Sequence, residues 1–242
     1  MEKTLHLDQH ISQQFNEDLE DLKSQCLSMG GLVEKQLKEA VQALINADSE
    51  AAEQIISEEQ RVNELEVSVD EQCLNLLALR QPAASDLRLV LVVGKVVRDL
   101  ERVGDEAEKI AKMAVKLSEQ GELPRGYVEL RHIGATAAEM LHDTLDALAR
   151  FDTGVALNVI KRDKVLDQEY KSAVREMITY MMEDPRSISR VLDAVLAVRA
   201  IERIGDHARN ICENVIYQVK GKDVRHLALN QVEQELRLSS KR

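Results

Sequence analysis

The sequence contains an internal repeat, and this feature constrains the possible folds more than any other. The segment from Arg98 to Ala111 aligns without gaps with the segment from Arg199 to Cys212 at an offset of 101 residues, and seven of the fourteen positions are identical. Upstream, the Ala-Leu pair at 43–44 aligns with the pair at 147–148 at an offset of 104. A repeat of this length predicts two copies of one folded unit in tandem.

Residues that break helices are rare and fall at regular intervals along the chain. The 242 residues include only ten Gly and three Pro, and the two Phe, four Tyr and no Trp are far fewer aromatic residues than β-strands favour. The richest cluster of helix breakers runs from Glu119 to Gly126. The sequence therefore predicts an all-α protein with six helical segments, at residues 9–46, 49–80, 86–119, 126–151, 154–183 and 187–220.

Apolar side chains recur along the third and sixth segments at spacings of mostly three and four residues. In the third segment this seam comprises Leu89, Val93, Val96, Leu100, Val103, Ala107, Ile110 and Ala114. A heptad seam packs one face of a helix on its neighbours, and short loops make successive helices antiparallel. We therefore predict two tandem three-helix bundles of the spectrin-like type, at residues 1–121 and 122–221, with a charged tail at 222–242. The boundary is expected between Gly121 and Gly126, and the run Val90-Leu91-Val92-Val93 is interpreted as bundle core.

Charge and hydropathy exclude several classes of function. The 32 Lys and Arg against 43 Asp and Glu give a net charge of −11, which argues against binding to nucleic-acid phosphates. The most apolar stretch, Leu87 to Val97, is interrupted by charges and too short to span a membrane, and the N-terminus lacks the apolar core of a signal peptide. A cytoplasmic protein is expected, with three reduced and buried thiols: Cys26, Cys73 and Cys212.

Pairs of acidic residues stand four positions apart within the repeat. Glu101 and Asp105 form the first pair, and the second copy carries Glu202 and Asp206. On a helix this spacing places both carboxylates on one face, one turn apart, where they repel each other unless a cation intervenes. A further row, Asp163 and Asp167, lies on the preceding helix, and its first-half counterparts are Glu59 and Asn63. All-oxygen ligation suits Mg²⁺, Ca²⁺ or Mn²⁺, or oxygen-bridged iron.

Two interpretations of these acids remain open at this point. Relative to the seam at Leu100 and Val103, the acids point to the far side of the helix, where carboxylates are usually solvated or paired with neighbouring arginines. The mid-helix glycines Gly104 and Gly205 favour a site instead, because each costs about 1 kcal/mol relative to Ala and both halves retain it. A surface metal or docking site and a solvated face are therefore both considered. His207 has no counterpart in the first half and is interpreted as a surface residue.

Several segments resemble the PhoU family, whose members are accessory and regulatory proteins of bacterial phosphate-specific transport. The resemblance spans nearly the whole chain and rests on the doubled Leu/Ile-Glu-Arg-Val/Ile-Gly-Asp string and on the segments Gln14 to Glu20, Met29 to Glu34, Arg80 to Arg88, Tyr180 to Asp184 and Val219 to Gly221. It implies a PhoU-like pair of three-helix bundles that dimerises and has no enzymatic activity. It also implies an adaptor between the ATPase subunit of a phosphate ABC transporter and a phosphate-sensing histidine kinase, associated with the inner membrane through these partners. When phosphate is plentiful, such an adaptor keeps the phosphate-starvation response off and restrains uptake.

The resemblance further implies surface metal clusters held by paired acidic motifs. Carried over to this sequence, the metal ligands are Glu101, Asp105, Asp163, Asp167, Glu202 and Asp206. Asn63 departs from the acidic pattern, which puts the first-half site in more doubt. The competing interpretations are a carboxylate-bridged metalloenzyme of the ferritin-like kind and a purely structural helical scaffold. The first would need inward-facing Glu-x-x-His pairs, and neither repeated string contains one.

Overall fold

The computed structural model describes residues 13–119 and 127–239, and within these ranges the chain is helical and contains no strand. The six long helices coincide with the six predicted segments to within a few residues at each end. Their bounds are α1 Gln13–Asn46, α2 Ser49–Arg80, α3 Ala84–Glu119, α4 Tyr127–Arg150, α5 Thr153–Glu183 and α6 Ile188–Lys220, with a short 3-10 turn at Pro185–Ser187 and a seventh helix, α7, at Leu229–Ser239.

The two halves begin their middle helices with the same cap. Asp48 precedes α2, and its carboxylate accepts a hydrogen bond from the backbone N–H of Ala51 at 3.0 Å. Asp152 lies at the equivalent place before α5 and accepts from Gly154 at 2.8 Å and Val155 at 3.1 Å. Such a cap satisfies backbone donors that a helix leaves open, and its loss costs about 0.5–2 kcal/mol. The internal repeat therefore includes the turns that precede α2 and α5.

The helices pack as two three-helix bundles joined side by side. Helices α1, α2 and α3 contact one another, as do α4, α5 and α6, and the bundles meet through α3 against α6 and α1 against α4. The start of α3 lies beside the end of α6, since Gln218 Nε2 donates to the carbonyl of Ser85 at 3.4 Å and Lys95 lies over the ring of Tyr217. Because α3 and α6 run antiparallel, the two halves are related by an approximate twofold axis.

The predicted heptad seam of α3 is buried along its whole length. One part of the core prediction is wrong. Leu91 is 43% exposed, whereas Val90, Val92 and Val93 are buried. A helix in contact with three others still leaves a narrow solvent strip, and Leu91 lies on it.

Helix α3 approaches α2, and α6 approaches α5, at the mid-helix glycines. A Cβ atom at Gly104 would lie 3.2 Å from Cγ1 of Val62 on α2, and a Cβ at Gly205 would overlap the side chain of Leu166 on α5. The absence of a side chain at these positions allows the helix pairs to come close together. Close packing thus explains why both halves have a glycine here, although glycine is unfavourable in the middle of a helix.

Charged groups lie in the contact between the two bundles, and one prediction is wrong here. His207 is only 5% exposed, so it is not a surface histidine. Its Nδ1 lies 3.0 Å from Oδ1 of Asp99 on α3, across the contact between the bundles. In the same contact Nη1 of Arg203 lies 3.0 Å from Oε1 of Glu106. The first-half counterpart of His207 is this Glu106, so the repeat has kept a buried polar position but changed its chemistry.

The three cysteines are free and buried, as predicted. Burial raises the pKa of Cys26 and of Cys212 to about 12, and that of Cys73 to about 11. Such thiols stay protonated at neutral pH and are poor nucleophiles.

Part of the charged tail folds back on the second bundle. Val224 and Val232 are buried, and α7 lies against α5, where Lys161 Nζ is 2.5 Å from Oε1 of Glu233. The expected boundary between Gly121 and Gly126 lies outside the described residues, so the division at residue 121 stays a prediction.

Candidate functional site: two acidic grooves

The paired acids do not point away from the bundles, contrary to the expectation from the seam. Glu101 and Asp105 are partly buried, and Glu202 is only 8% exposed. They lie where α3 meets α2 and where α6 meets α5. We define the first groove by Glu59, Glu66, Glu101 and Asp105, and the second groove by Asp163, Asp167, Glu202 and Asp206. The glycine inside each Glu-x-x-Gly-Asp string lets the two acidic rows of a groove approach each other.

The first groove includes a carboxylate that the sequence interpretation missed. Glu66 follows Asn63 by three positions, so that Glu59, Asn63, Glu66 and Asp70 continue one helical stripe. Burial raises the pKa of Glu66, and the neighbouring carboxylates of Asp70 and Asp105 raise it further. The heptad continuation of the Glu59 row was the signal available in the sequence.

The carboxylates of the first groove repel one another, which disfavours the charged form of each. Burial, followed by the charges of Asp105, Glu66 and Glu59, raises the pKa of Glu101. Burial, Asp105 and Glu108 raise the pKa of Glu59, and a hydrogen bond from Asn63 Nδ2 to Oε2 at 2.7 Å opposes the shift. The other oxygen of Glu59, Oε1, is enclosed and accepts no hydrogen bond.

No ion pair neutralises the first groove within the part of the chain that the structure describes. None of its four carboxylates has a Lys or Arg nitrogen within 4.0 Å. Three more distant cations, Arg98, Arg102 and Lys112, only lower the pKa of the groove acids from a distance.

The second groove brings together all four predicted acids. Burial raises the pKa of Glu202, and the charges of Asp206, Asp167 and Asp163 add to the shift. Asp163, 3% exposed, has a pKa raised by burial, which the nearby guanidinium of Arg209 partly opposes. The structure thus places α5 and α6 acids together as the spacing predicted.

Two arginines pair with the second groove. Nη1 of Arg209 lies 3.0 Å from Oδ2 of Asp163 and 3.8 Å from Oδ1 of Asp206. Nη1 of Arg199 lies 3.0 Å from Oε1 of Glu202, whose Oε2 is enclosed without a hydrogen bond. The arginine neutralisation that the sequence left open therefore applies to this groove.

The oxygen donors of the two grooves can be compared with the ligands that hard cations prefer. Carboxylate and amide oxygens are suitable ligands for Mg²⁺, Mn²⁺, Ca²⁺ or oxygen-bridged iron. In the described ranges, 13–119 and 127–239, no three Asp, Glu, His or Cys side chains converge on one metal position as they stand. The first groove matches such a cation in charge, because none of its carboxylates has a Lys or Arg nitrogen of the described chain within 4.0 Å. Among the described residues, each groove holds one enclosed oxygen without a hydrogen bond, Glu59 Oε1 in the first and Glu202 Oε2 in the second. The second fits poorly because Arg209 already holds Asp163.

The raised pKa values of the first groove contribute a part of the stability that falls as pH rises. Because Glu59, Glu66 and Glu101 have folded-state pKa values above the ordinary value of a glutamate, these groups bind protons more tightly in the folded chain than in the unfolded chain over the pH range between the two values. We expect Glu101→Gln to raise the free energy of unfolding at pH 7 by roughly 0.5 kcal/mol, through relief of like-charge repulsion, and to flatten this pH dependence. Urea unfolding from pH 4.5 to 7.5 measures both effects.

A matched control for this prediction is Glu53→Gln, at an exposed position of α2 outside the groove. We expect it to leave the slope of stability against pH unchanged. A Glu101→Gln protein whose slope equals that of the wild type would contradict the assignment of the pH dependence to the first groove.

Comparison with known proteins identifies the family. The family model described as "PhoU domain" matches residues 26–114 and again residues 130–215, one match for each bundle. The chain belongs to the PhoU family. A PhoU homolog of Pseudomonas aeruginosa, named phosphate-specific transport system accessory protein, is 57% identical over 230 residues and covers 95% of each chain. The PhoU of Escherichia coli, under the same accessory-protein name, is 46% identical over 233 residues and covers 96% of each.

A solved PhoU structure supports the fold. The crystal structure of PhoU from Pseudomonas aeruginosa has a TM-score of 0.85 and 58% sequence identity with this chain, and it covers 86% of this chain and all of the other. The two family matches coincide with the two halves of the sequence repeat. Of the described helices of this PhoU family member, none is long and apolar enough to cross a membrane.

Proposed function

We propose that this chain is an accessory protein of phosphate-specific transport that acts as a negative regulator of phosphate uptake and of the phosphate-starvation response. The observation that carries this proposal is full-length similarity: relatives at 57% and 46% identity, aligned over at least 95% of both chains, bear that accessory-protein name. The role is regulatory and not catalytic. The groove acids lie between pairs of helices near the bundle surface, which favours neither inward-facing enzyme ligands nor a plain scaffold.

We further propose that the chain acts as a cytoplasmic homodimeric adaptor. Its partners would be the ATPase subunit of the phosphate ABC transporter and the phosphate-sensing histidine kinase. A net charge of −11 and a groove with unpaired carboxylates support docking to basic partner surfaces, because complementary charge steers association and sets its specificity. The two grooves at matched positions offer one docking surface in each bundle.

The first groove is also the proposed cation site. Glu59, Glu66, Glu101 and Asp105 would hold a divalent ion such as Mg²⁺ or Mn²⁺, or iron, with Asn63 as a neutral oxygen donor. A bound cation would supply positive charge to a cluster that otherwise contains only mutually repelling carboxylates. The predicted second-groove ligands Asp163, Asp167, Glu202 and Asp206 fit less well because of Arg209.

A complementation experiment tests the proposed function. In a strain lacking this gene, the wild-type gene is expected to restore repression of a phosphate-starvation reporter in phosphate-replete medium. The charge-reversed variants Glu101→Lys/Asp105→Lys and Glu202→Lys/Asp206→Lys are expected to lose repression and to lose co-purification with the transporter ATPase or the kinase.

The control carries the same change of charge on exposed positions of α2, as Glu53→Lys/Glu64→Lys. It is expected to repress like the wild type. A wild-type gene that fails to restore repression would contradict the regulatory role. Groove variants that repress and co-purify normally would contradict docking through the grooves while leaving the regulatory role in place.

A further inference from the structure

We propose that Arg209 is a built-in cation of the second groove, so that the two matched grooves are unlike and only the first is open to an added divalent ion. This inference rests on the proposed cation site of the first groove. The resemblance to the PhoU family implies metal ligands in both grooves. The proposal departs from this expectation, because it assigns a metal ion to the first groove alone.

Arg209 forms one hydrogen bond and two further ion pairs at the second groove. Its guanidinium reaches three carboxylates on two helices: Nη1 lies 3.0 Å from Asp163 and 3.8 Å from Asp206, and Nε lies 3.3 Å from Oε1 of Glu213. Asp163 is 3% exposed and Glu213 is 8% exposed, so the arginine covers two buried carboxylates, whereas the side chain of Asp206 is 46% exposed. A guanidinium remains charged at every accessible pH and cannot be titrated away.

The first groove carries the opposite charge at the matched position. The counterpart of Arg209 at the offset of 101 is Glu108. Its Oε2 accepts from Lys112 at 2.6 Å, and its charge raises the pKa of Glu59, the counterpart of Asp163. The second groove thus has a guanidinium on its buried aspartate. At the matched position the first groove has a further carboxylate, Glu108, whose charge acts on Glu59.

This difference decides which groove accepts a divalent ion. An ion entering the second groove meets a fixed positive charge and must displace Arg209 from Asp163, a carboxylate that is only 3% exposed. An ion entering the first groove meets carboxylates that have no Lys or Arg nitrogen of the described residues within 4.0 Å, and it relieves their repulsion. We expect the second groove to bind a divalent ion at least about 100-fold more weakly than the first.

Mn²⁺ titration followed by electron paramagnetic resonance of the free ion tests the proposal. The wild-type protein is expected to bind a single tight Mn²⁺ ion per chain, and Glu101→Gln/Asp105→Asn none. Arg209→Gln is expected to add a second ion by opening the second groove. In the Glu101→Gln/Asp105→Asn background, Arg209→Gln is expected to restore a single ion.

Two control variants separate the effect of the positive charge at residue 209 from a general effect of substituting an arginine. Arg209→Lys keeps a cation in the groove and is expected to bind a single ion, like the wild type. Arg162→Gln removes an arginine that pairs with Glu139 and Asp143 outside the groove, and is expected to add none. Two tight ions in the wild-type protein, or no added ion in Arg209→Gln while the first groove still binds Mn²⁺, would overturn the proposal.

A double-mutant cycle based on Tm tests the pairing of Arg209 with Asp163 without any added metal. If the wild type binds no Mn²⁺, the proposed cation site of the first groove is wrong, and the role of Arg209 is decided by Arg209→Gln, Asp163→Asn and their combination. We expect Arg209→Gln to lower Tm because it leaves Asp163 buried without a partner, and the double variant to regain most of that loss. Additive losses of Tm would overturn the counter-ion role.

Discussion

Gly205→Leu is expected to lower the free energy of unfolding by about 3 kcal/mol, because the new side chain has no room between α6 and α5. Even a Cβ atom at this position would overlap the side chain of Leu166, and it would lie 3.6 Å from Cε of Met140. Both of these side chains are fully buried, so neither can move into solvent. For a chain of this size the loss corresponds to a fall in Tm of roughly 6–12 °C, measured by calorimetry.

The control for this prediction is another mid-helix glycine, Gly31 in α1. A Cβ at Gly31 would meet nothing within 4 Å. We therefore expect Gly31→Ala to raise the free energy of unfolding by about 0.5–1 kcal/mol, through higher helix propensity alone. Equal effects of substitution at the two glycines would contradict a packing role for Gly205.

Gln36→Met is expected to raise the free energy of unfolding by about 2 kcal/mol, since it removes an amide that is buried without hydrogen bonds. Gln36 lies in the core-facing seam of α1, is 1% exposed, and neither its Oε1 nor its Nε2 has a partner. Its counterpart in the second half is Met140, which is fully buried in the equivalent bundle. Because Gln and Met are similar in volume, the substitution does not overpack the core. Urea unfolding measures the gain.

Two further variants make this prediction specific. Gln42→Met, at an exposed position of the same helix, is expected to change stability by no more than about 0.5 kcal/mol. The reciprocal Met140→Gln is expected to destabilise the second bundle by about 2 kcal/mol, because it buries an amide where the repeat has a thioether. A loss of stability in Gln36→Met would contradict the view that its amide is unsatisfied.

The fold was largely predictable because local signals and the repeat agree with each other. Asp48 and Asp152 stand at matched positions and cap matched helices, so two independent copies of the sequence mark the same turn. Leu91 shows where this reasoning ends. A run of four apolar residues does not reveal which side chain faces the remaining solvent strip of a helix that packs against α1, α2 and α6.

The grooves were predictable only in part, for a related reason. The spacing of Asp163, Asp167, Glu202 and Asp206 correctly predicted that they meet. The direction assigned to the acids was wrong because it was measured from one apolar seam, as if α3 and α6 each had a single buried face. Most of their circumference is covered, so the far side of the seam is a second helix contact that leaves the acids only partly in solvent, with 46% of the Asp206 side chain exposed.

Arg209 was not predictable from its own sequence context. Its pairing with Asp163 joins residues 46 positions apart on two helices, and it depends on how close α6 comes to α5. That separation is set by the space at Gly205, which a sequence indicates only as a cost in helix propensity. His207 was misassigned in the same way, because its partner Asp99 is 108 residues distant.

Helix α3 serves two structures at once. One side of it forms a wall of the first groove, and another side forms the contact with α6, whose own flank is a wall of the second groove. A rigid rod cannot shift on one side and stay still on the other, so any widening of one groove displaces the shared contact. The contact between α3 and α6 therefore couples the two bundles mechanically. A ligand that inserts into one groove is expected to displace the helix that forms a wall of the other.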